Sequence, residues 1–569
     1  MGHSRHIRIG VTGHRQARLD GVDLAVLEAR VGALFDAIGH ALCNAASGEH
    51  PQIEIVTCLA EGADSIAARC AMARGWRFEA VLPFPAAIYA DDFPAGEPRD
   101  RFDAELAAAH RVFALNCSRE GEEADTLAYE RAGRVVLAQC DVMVGIWDGG
   151  PARGRGGTSQ IIAEAVGADI PVIHLDPRGL APEMLLWSGL NAHDLGEETV
   201  DTVARASIDQ LGPVLAALAG IDGRAPGLEE APLRPRLARL LGLPYAALLG
   251  VTRAKGSGSG NAGADADLRH DALAARFIRA DRQASEAAGV FRGAYVANFG
   301  FAAMAVLVSL SGLVLPIAFK PLLLATELGL IGAILAITHF GNRLGWHRRW
   351  IEQRQLAERL RCLAIATRLG NLDLRAHGAG TSRGVQAEAC VLARRIGLPN
   401  RTADDAWLGS VRSELLAMVA DQRGYFRREA QTMHRLDHRL HRAGSILFVG
   451  TALVCIGFLA VEAALHVVGG EIPGESAHTA ALYVTIATAA FPALGAAIYG
   501  IRMQGDFAGV AERGHAMEVQ LGALHAAIAS DPPDFDTLLT RTRRATALLT
   551  EDLASWTHAY HARPLVLPG

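Results

Sequence analysis

Residues 293–319 read GAYVANFGFAAMAVLVSLSGLVLPIAF and carry no charged side chain. A helix needs about 20 apolar residues to cross about 30 Å of hydrocarbon, so this run is long enough to span a bilayer. Lys320 and Pro321 then predict a tight turn into a second run, 322–340, interrupted only by Glu327 and His339. Further along, 443–461 and 479–501 are uncharged as well. Any one of these runs would pass as a buried helix of a large soluble protein. Four of spanning length, spaced as two pairs, predict an all-α membrane region of four transmembrane helices in two hairpins, with spans near 295–319, 322–340, 443–462 and 479–501.

These runs account for an unusual composition. The 569 residues are 50% hydrophobic and 20% charged, with a mean hydropathy of +0.18. Disordered chains are far less apolar, and soluble domains carry about 25% charged residues. A formal net charge of −6 argues against a dedicated nucleic-acid binder, and no nucleic-acid partner is expected. The eight cysteines form no C-x-x-C pair and no zinc-like spacing, so no metal site is expected and a reducing compartment is. Residues 1–10 lack the apolar core of a signal peptide, which places the expected start of the chain in the cytosol.

Flanking charge orients the spans. Arg292, Arg343, Arg348, Arg349, Arg435, Arg439, Arg442 and Arg502 border their outer ends, whereas the loop between the third and fourth spans holds Glu462, Glu471 and Glu475 and no basic residue. By the positive-inside rule both hairpins enter and leave on the cytoplasmic face of an inner membrane, with both terminal regions cytosolic; Lys320 at the first tip dissents. Each hairpin resembles the other: a basic amphipathic lead-in (281–295; 425–442), two spans, and a charged exit helix (346–368; 502–525). Ala325, Gly329 and Ala333 on one second span, and Ala489, Ala493 and Ala497 on the other, recur every four residues. That spacing suits close helix packing within a hairpin or between protomers of a homo-oligomer.

Residues 1–178 follow another rhythm. Short apolar runs at 7–11, 53–57, 78–82, 112–115, 142–147 and 171–175 alternate with helical stretches at 24–43, 64–74, 101–109, 124–139 and 159–167. Such alternation predicts a Rossmann-like α/β parallel sheet, whose ligands bind at the carboxyl ends of the strands. Three loops there carry suitable chemistry. Gly10-Val-Thr12-Gly13-His14-Arg15 follows the first strand and offers glycine backbone and a guanidinium to an anion. Glu61-Gly62-Ala63-Asp64 opens a helix, with Asp64 expected to cap it. Trp147-Asp148-Gly149-Gly150 leads through Arg153 and Arg155 to Gly156-Gly157-Thr158 at another helix start, where amide groups favour phosphate and Asp148 suits ribose hydroxyls. Together they predict a nucleotide-binding site without a metal or a resident cofactor.

These residues resemble a known family. The strand, Gly-Gly-Thr and helix at 141–165, with the glycine–acid–alanine helix start at 58–72, are similar to the SLOG superfamily, which includes DNA-processing protein A and the LOG phosphoribohydrolases. The hairpins, with Trp350, Arg354, Glu358 and Arg361 trailing the second span, resemble SLATT two-transmembrane effectors. The two resemblances imply a nucleotide-sensing head that controls a pore-forming tail in a bacterial conflict system. LOG enzymes place a glutamate three residues after the Gly-Thr; here that position is Ile161, and the nearest acid is Glu164. The departure favours binding over hydrolysis. A membrane-anchored N-glycosidase using Glu61, Asp64, Asp148 or Glu164, and a channel with a regulatory head like that of TRPM channels, stay open as alternatives.

The remaining segments divide the chain into a helical connector (179–253), a Gly/Ser-rich flexible linker (254–267), a first two-span module (268–378), an inter-module segment (379–424) and a second module (425–569), with 377–409 reading as loops and short helices. A flexible linker at 254–267 favours ligand-induced clustering of heads over a rigid lever. The stretch 538–561 is amphipathic and reads as a packing helix.

Overall fold

A computed structural model describes residues 6–45, 51–151, 156–191, 198–218, 235–250, 268–372, 374, 382–468, 474–561 and 565–568. The linker at 254–267, Arg153 and Arg155 lie outside the described residues. The head is built from β1 (His6–Gly13), α1 (Leu24–Ala45), β2 (Gln52–Thr57), α2 (Ala63–Ala73), β3 (Arg77–Leu82), α3 (Ala86–Tyr89), α4 (Glu97–Ala108), β4 (Arg111–Leu115), α5 (Glu122–Gln139), β5 (Val142–Ile146), α6 (Thr158–Gly167) and β6 (Val172–Leu175). The central strands are buried on both faces, as their unbroken Val/Ile runs demand of a parallel sheet wrapped by helices. One face packs on α1 and α2. The other packs on α5 and α6 and on helices from the far end of the chain.

The 179–253 segment, expected to be helical, starts differently. Residues 184–186 and 205–207 form β7 (Met184–Leu186) and β8 (Arg205–Ser207), and only then come α7 (Leu211–Leu218) and α8 (Pro235–Leu249). Both strands are antiparallel and extend the sheet past β6. They are three residues long, too short for a period-two pattern to register in the sequence.

The helical region comprises α9 (Leu268–Ser311), α10 (Lys320–Arg343), α11 (Trp346–Ala366), α12 (Arg383–Ile396), β9 (Arg401–Ala403), α13 (Asp405–Val468), α14 (Gly474–Gly505), α15 (Phe507–Ser530) and α16 (Phe535–His561). Among the described residues, α9, α10, α13 and α14 are the four helices long and apolar enough to cross a membrane. Their apolar side chains lie bare, Phe448 at 73% and Leu328 at 71% exposure, as a lipid-facing surface requires and a soluble one rarely allows. Two expectations shift. The turn after the first span lies at 312–316 rather than at Lys320–Pro321, because Pro316 cannot continue a helix while Lys320 and Pro321 suit the first turn of the next. The stretch from Ala294 to Asn298 is largely buried in protein, where the Asn298 amide donates to the Thr338 hydroxyl of α10 at 2.9 Å. The four-residue small stripes divide: Ala325 and Gly329 are exposed, whereas Ala333, Ala489, Ala493 and Ala497 are half-buried.

The inter-module segment 379–424, with loops and short helices expected over 377–409, contributes to the head. β9 pairs in parallel with β4, giving the order β8-β7-β6-β5-β1-β2-β3-β4-β9 with six parallel and two antiparallel pairings. One residue later α13 begins and runs 64 residues without a break, about 95 Å at 1.5 Å per residue. Leu408, Val411, Leu415 and Val419 of α13 share a core with Val135, Met143 and Ile161 of the head and with Leu521, Leu524 and Phe535 of α15 and α16. The head is therefore joined to the membrane helices by a shared core as well as through residues 254–267, which corrects the expectation of a tether alone.

A buried ionic network fastens this junction. The Arg8 guanidinium, 0% exposed, donates to Glu54 of β2 and Glu79 of β3, each at 2.5 Å, and to both oxygens of Gln139. Asp141 accepts from the Arg8 backbone at 3.0 Å and from Arg394 of α12 at 2.9–3.1 Å. Arg111 donates to the carbonyls of Ile396 and Leu398, and the Leu398 amide donates to Glu79. Removing one partner of a buried pair leaves a charge unpaired and costs about 3–5 kcal/mol. Arg394→Ala is expected to destabilise the full-length protein by that amount in detergent-solubilised urea denaturation, and adding Asp141→Asn should restore much of it. An unchanged midpoint for Arg394→Ala would refute the fastening role.

Candidate functional site

The strand order reverses between β1 and β5: β2, β3 and β4 lie in sequence order on one side of β1, and β5 and β6 on the other. In an open parallel sheet such a switch point opens a crevice at the carboxyl ends, because the following helices depart to opposite faces. β1 ends at Gly13 opposite Ile146, the last residue of β5. The first and third sequence-predicted loops therefore converge there, and the Glu61–Asp64 loop after β2 joins them.

Each loop has a physical cause. A Cβ on Gly13 would lie 2.3 Å from that of Ala63, so only glycine lets the first loop pass the start of α2. Gly62 has φ of +112° and lies against the backbone of residues 14–16, where a Cβ would sit 2.7 Å from the His14 carbonyl. The Gln16 amide donates to the Glu61 carbonyl and the Ala63 amide to His14. The Thr158 hydroxyl donates to the Gly13 carbonyl at 2.8 Å, pinning the start of α6 to the end of β1. Gly157 is the N-cap residue of α6 and is exposed; the Gly156 amide donates to Gln160 at 2.8 Å. Gly10 sits inside β1 against Cys140, away from the crevice, and Thr12 lies on its last turn of strand.

Asp148 and His14 meet across the crevice. The buried His14 ring places Nε2 3.1 Å from Asp148 Oδ1 and 3.3 Å from the Asp148 amide nitrogen. One nitrogen cannot donate to the first and accept from the second, and the nearer, anionic partner favours donation. Partial burial pulls the Asp148 carboxyl up, but the Gly150 amide and the His14 ring outweigh it and hold the group below its usual range. The Trp147 indole donates to the Gly150 carbonyl at 2.8 Å, and Gly149, at φ of +77°, leaves open space above it. Asp148, Gly149 and Gly157 are the exposed members of this rim.

A neighbouring cluster was missed by sequence reasoning. The Arg15 guanidinium lies 4.1 Å over the Tyr129 ring and 3.9 Å from Asp92, with about half its side chain exposed. Asp92 also accepts from Tyr129 at 2.6 Å and from Arg119, which stands 4.4 Å over Phe84. Arg119 is further satisfied by Asp125 at 3.0 Å, so Arg15 keeps the looser partner and the freer charge. Phe84, Asp92 and Arg119 come from the segments after β3 and β4. The same carboxyl-end rule that selected the other loops would have found them, but no glycine motif draws attention to those segments.

Two expected roles are corrected. Asp64 does not cap α2: it is buried in the first turn, hydrogen-bonded to Thr57 and to the backbone of Cys58 and Ala60, so it ties down the loop after β2. That loop needs tying, since Leu59 is held at φ of +53° with no exposure. Glu164 is bound by Arg134 at 2.7–3.2 Å and by Gln160, on the α5–α6 surface. Ile161 is buried against Gly133, in the core rather than beside a ribose. No metal-type cluster of His, Cys, Asp or Glu occurs among the described residues. No protein-family model, curated protein or solved structure matches the chain.

Burial pushes the Asp64 carboxyl up to about 6, against the hydrogen bonds that favour its charge. The unfolded chain releases this proton near 3.8, so from about pH 4 to 6 the folded state holds a proton that the unfolded state has lost. Stability from this group therefore falls as pH rises through that window and is level above it. Asp64→Asn should remove the slope and, at pH 7, offset up to about 3 kcal/mol of ionisation cost. The check is the melting temperature of both proteins from pH 4 to 7; parallel curves would refute the assignment.

Proposed function

We propose that the protein is a sensor–effector of the inner membrane that binds a nucleotide or nucleotide-derived signal in the β1–β5 crevice and permeabilises the bilayer through two transmembrane hairpins. The observation that carries this reading is that the sheet bearing the crevice and a helix long enough to cross the membrane are one packed body, joined at β9 and α13. An anchor needs only a tether; an uninterrupted helix from sheet to span suits a head that acts on its membrane part.

In this reading Arg15 and the start of α6 at Gly157 take the phosphate, and Asp148, kept ionised by Gly150 and His14, accepts from ribose hydroxyls. Turnover is not part of it: the aliphatic Ile161 cannot stabilise a ribosyl cation and Glu164 is engaged by Arg134. The resemblance to SLOG heads and SLATT effectors fits the same assignment, with assembly into a homo-oligomer as the conducting state. The ligand can drive assembly only to the extent that it prefers the assembled form, and a shift from 1:99 to 99:1 needs about a 10⁴-fold preference.

The test uses the full chain in dye-loaded liposomes, with linear, cyclic and ADP-ribose-type nucleotides. One of them should raise the melting temperature, be recovered intact and release dye. Arg15→Ala and Thr158→Val should weaken both effects at least tenfold. Recovery of free base would instead make the protein an anchored N-glycosidase, and dye release with no nucleotide a constitutive channel. Asp421 is exposed about a quarter of the way along α13, ahead of the span. A proline there breaks the helix at about 3 kcal/mol or more. Asp421→Pro is expected to keep nucleotide binding and lose dye release; release at the wild-type rate would sink the role given to α13.

A further inference from the structure

The internal repeat finds a physical expression outside the head. The two exit helices begin in the same way: α10 ends and α11 starts around Gly345 at φ of +60°, and α14 ends and α15 starts around Asp506 at φ of +45°. A few residues beyond each break, the exit helices meet the lead-in parts of α9 and α13 around a cavity of about 340 Å³. Trp350, Arg354 and Glu358 come from one exit and Arg513 from the other; Arg292 comes from one lead-in and Tyr425 and Glu429 from the other. Small residues keep the space open: Ala284, Ala288 and Gly289 on α9, and Gly514 on α15.

The charges of the cavity are paired unequally. Arg354 is paired with Glu358 at 2.5 Å and with Asp281 at 3.3 Å, and Arg513 with Asp506 at 3.3 Å. Arg292 lies between rings, its guanidinium 4.9 Å from Trp350 and 5.4 Å from Tyr245, and the charge of Glu429 faces it. A partly buried guanidinium between aromatic faces, opening on a cavity, suits an anion that also presents a planar ring. Glu429 accepts from the Tyr425 hydroxyl and faces Arg292 and Arg354, and a carboxylate's remaining lone pairs can still accept from an amine on that ring. The volume lies near the lower end of small-ligand pockets, about 300–1,000 Å³, which limits the occupant to about one nucleotide unit.

We propose that this cavity is a second ligand site, distinct from the crevice of the head, that takes a phosphate carrying an amine-bearing heterocycle, of the nucleoside monophosphate class. The phosphate lies at Arg292 and Arg354, the ring against Trp350 and Tyr425, and the amine at Glu429. Because all four cytoplasmic extensions of the apolar helices line the site, its occupant fixes their mutual arrangement. Phosphate chemistry alone would also admit a lipid headgroup; the ring stack and the Glu429 acceptor favour the nucleotide.

The test is equilibrium dialysis of labelled AMP, GMP and CMP against the full chain in phosphatidylcholine nanodiscs, with Arg15→Ala/Asp148→Ala in the background to disable the crevice. At least one nucleotide should bind saturably in this background. Gly289→Leu, whose Cβ enters open space, and Arg292→Gln should each weaken binding at least tenfold. Their melting temperatures should stay within a few degrees of the parent, and inorganic phosphate should compete poorly. Absence of binding by all three nucleotides would overturn the proposal, as would binding indifferent to both substitutions. Repeating the assay in discs containing phosphatidylglycerol separates the sources: displacement of the nucleotide as that lipid is added would assign the site to a headgroup and refute the nucleotide. Failure of the crevice reading would leave this result intact, since the background already lacks that site.

Discussion

Arg8 is a guanidinium sealed from water, and the amino edge of the sheet is arranged around it. Burying a charge is prohibitive unless it is paired and its donors are used, and Arg8 meets both conditions through Glu54, Glu79 and Gln139. The carboxylates around Arg8 create further requirements. Glu79 needs the Leu398 amide, and Asp141, which faces the Arg8 backbone, needs Arg394. Three guanidiniums (Arg8, Arg111, Arg394) thus balance three carboxylates (Glu54, Glu79, Asp141), all buried. The segment from 394 to 403 is bound to the head by that balance, since neither side can be withdrawn without stranding charge.

This constraint fixes how the two halves are joined. β9 is a strand of the head's sheet and α13 follows β9 after one residue. Ala403 ends β9 opposite Leu115 at the carboxyl end of β4, so α13 departs from the same edge that holds the crevice. β1 and β9 are separated by three strands, about 19 Å at the usual spacing. Between them stand the aromatic and guanidinium side chains of the segments after β3 and β4, including Arg15 over Tyr129 and Arg119 over Phe84. A ligand that reorganised this row would act on packed side chains next to the root of α13.

The strands β1 to β6 and the four apolar helices were legible because their signals are local: unbroken β-branched runs between turn residues, and uncharged stretches of spanning length. The crevice was legible for the same reason, since glycine placement and helix starts are written in consecutive residues. What escaped was set by distant partners. β9 is three residues of ordinary composition that become a strand only because β4 offers an edge and Arg111 and Glu79 hold the adjoining loop. Asp64 has the spacing of a cap, but Thr57 and the loop beyond β2 claim it instead. The matching lead-in and exit helices were visible as a loose repeat, whereas their meeting around one cavity was not, because periodicity gives faces and not the partners of those faces.

The repeat is also mechanically lopsided. Both lead-ins are continuous with their apolar runs: α9 runs 44 residues and α13 runs 64 with no break between polar and apolar parts. Both exits are interrupted, at Gly345 and at Asp506, by a single residue in the left-handed region. A long helix resists bending while one backbone position outside helical geometry absorbs rotation locally. A displacement at the root of α13, or at the cavity where the lead-ins meet, would therefore be carried into the apolar parts of α9 and α13 with little loss. α10 and α14 could follow by turning about Gly345 and Asp506 without unpacking α11 and α15, which are seated in the shared cores. Glycine meets that demand at 345 without steric cost. At 506 an aspartate occupies the same backbone region, with Arg513 one to two turns along α15 tied to its carboxylate.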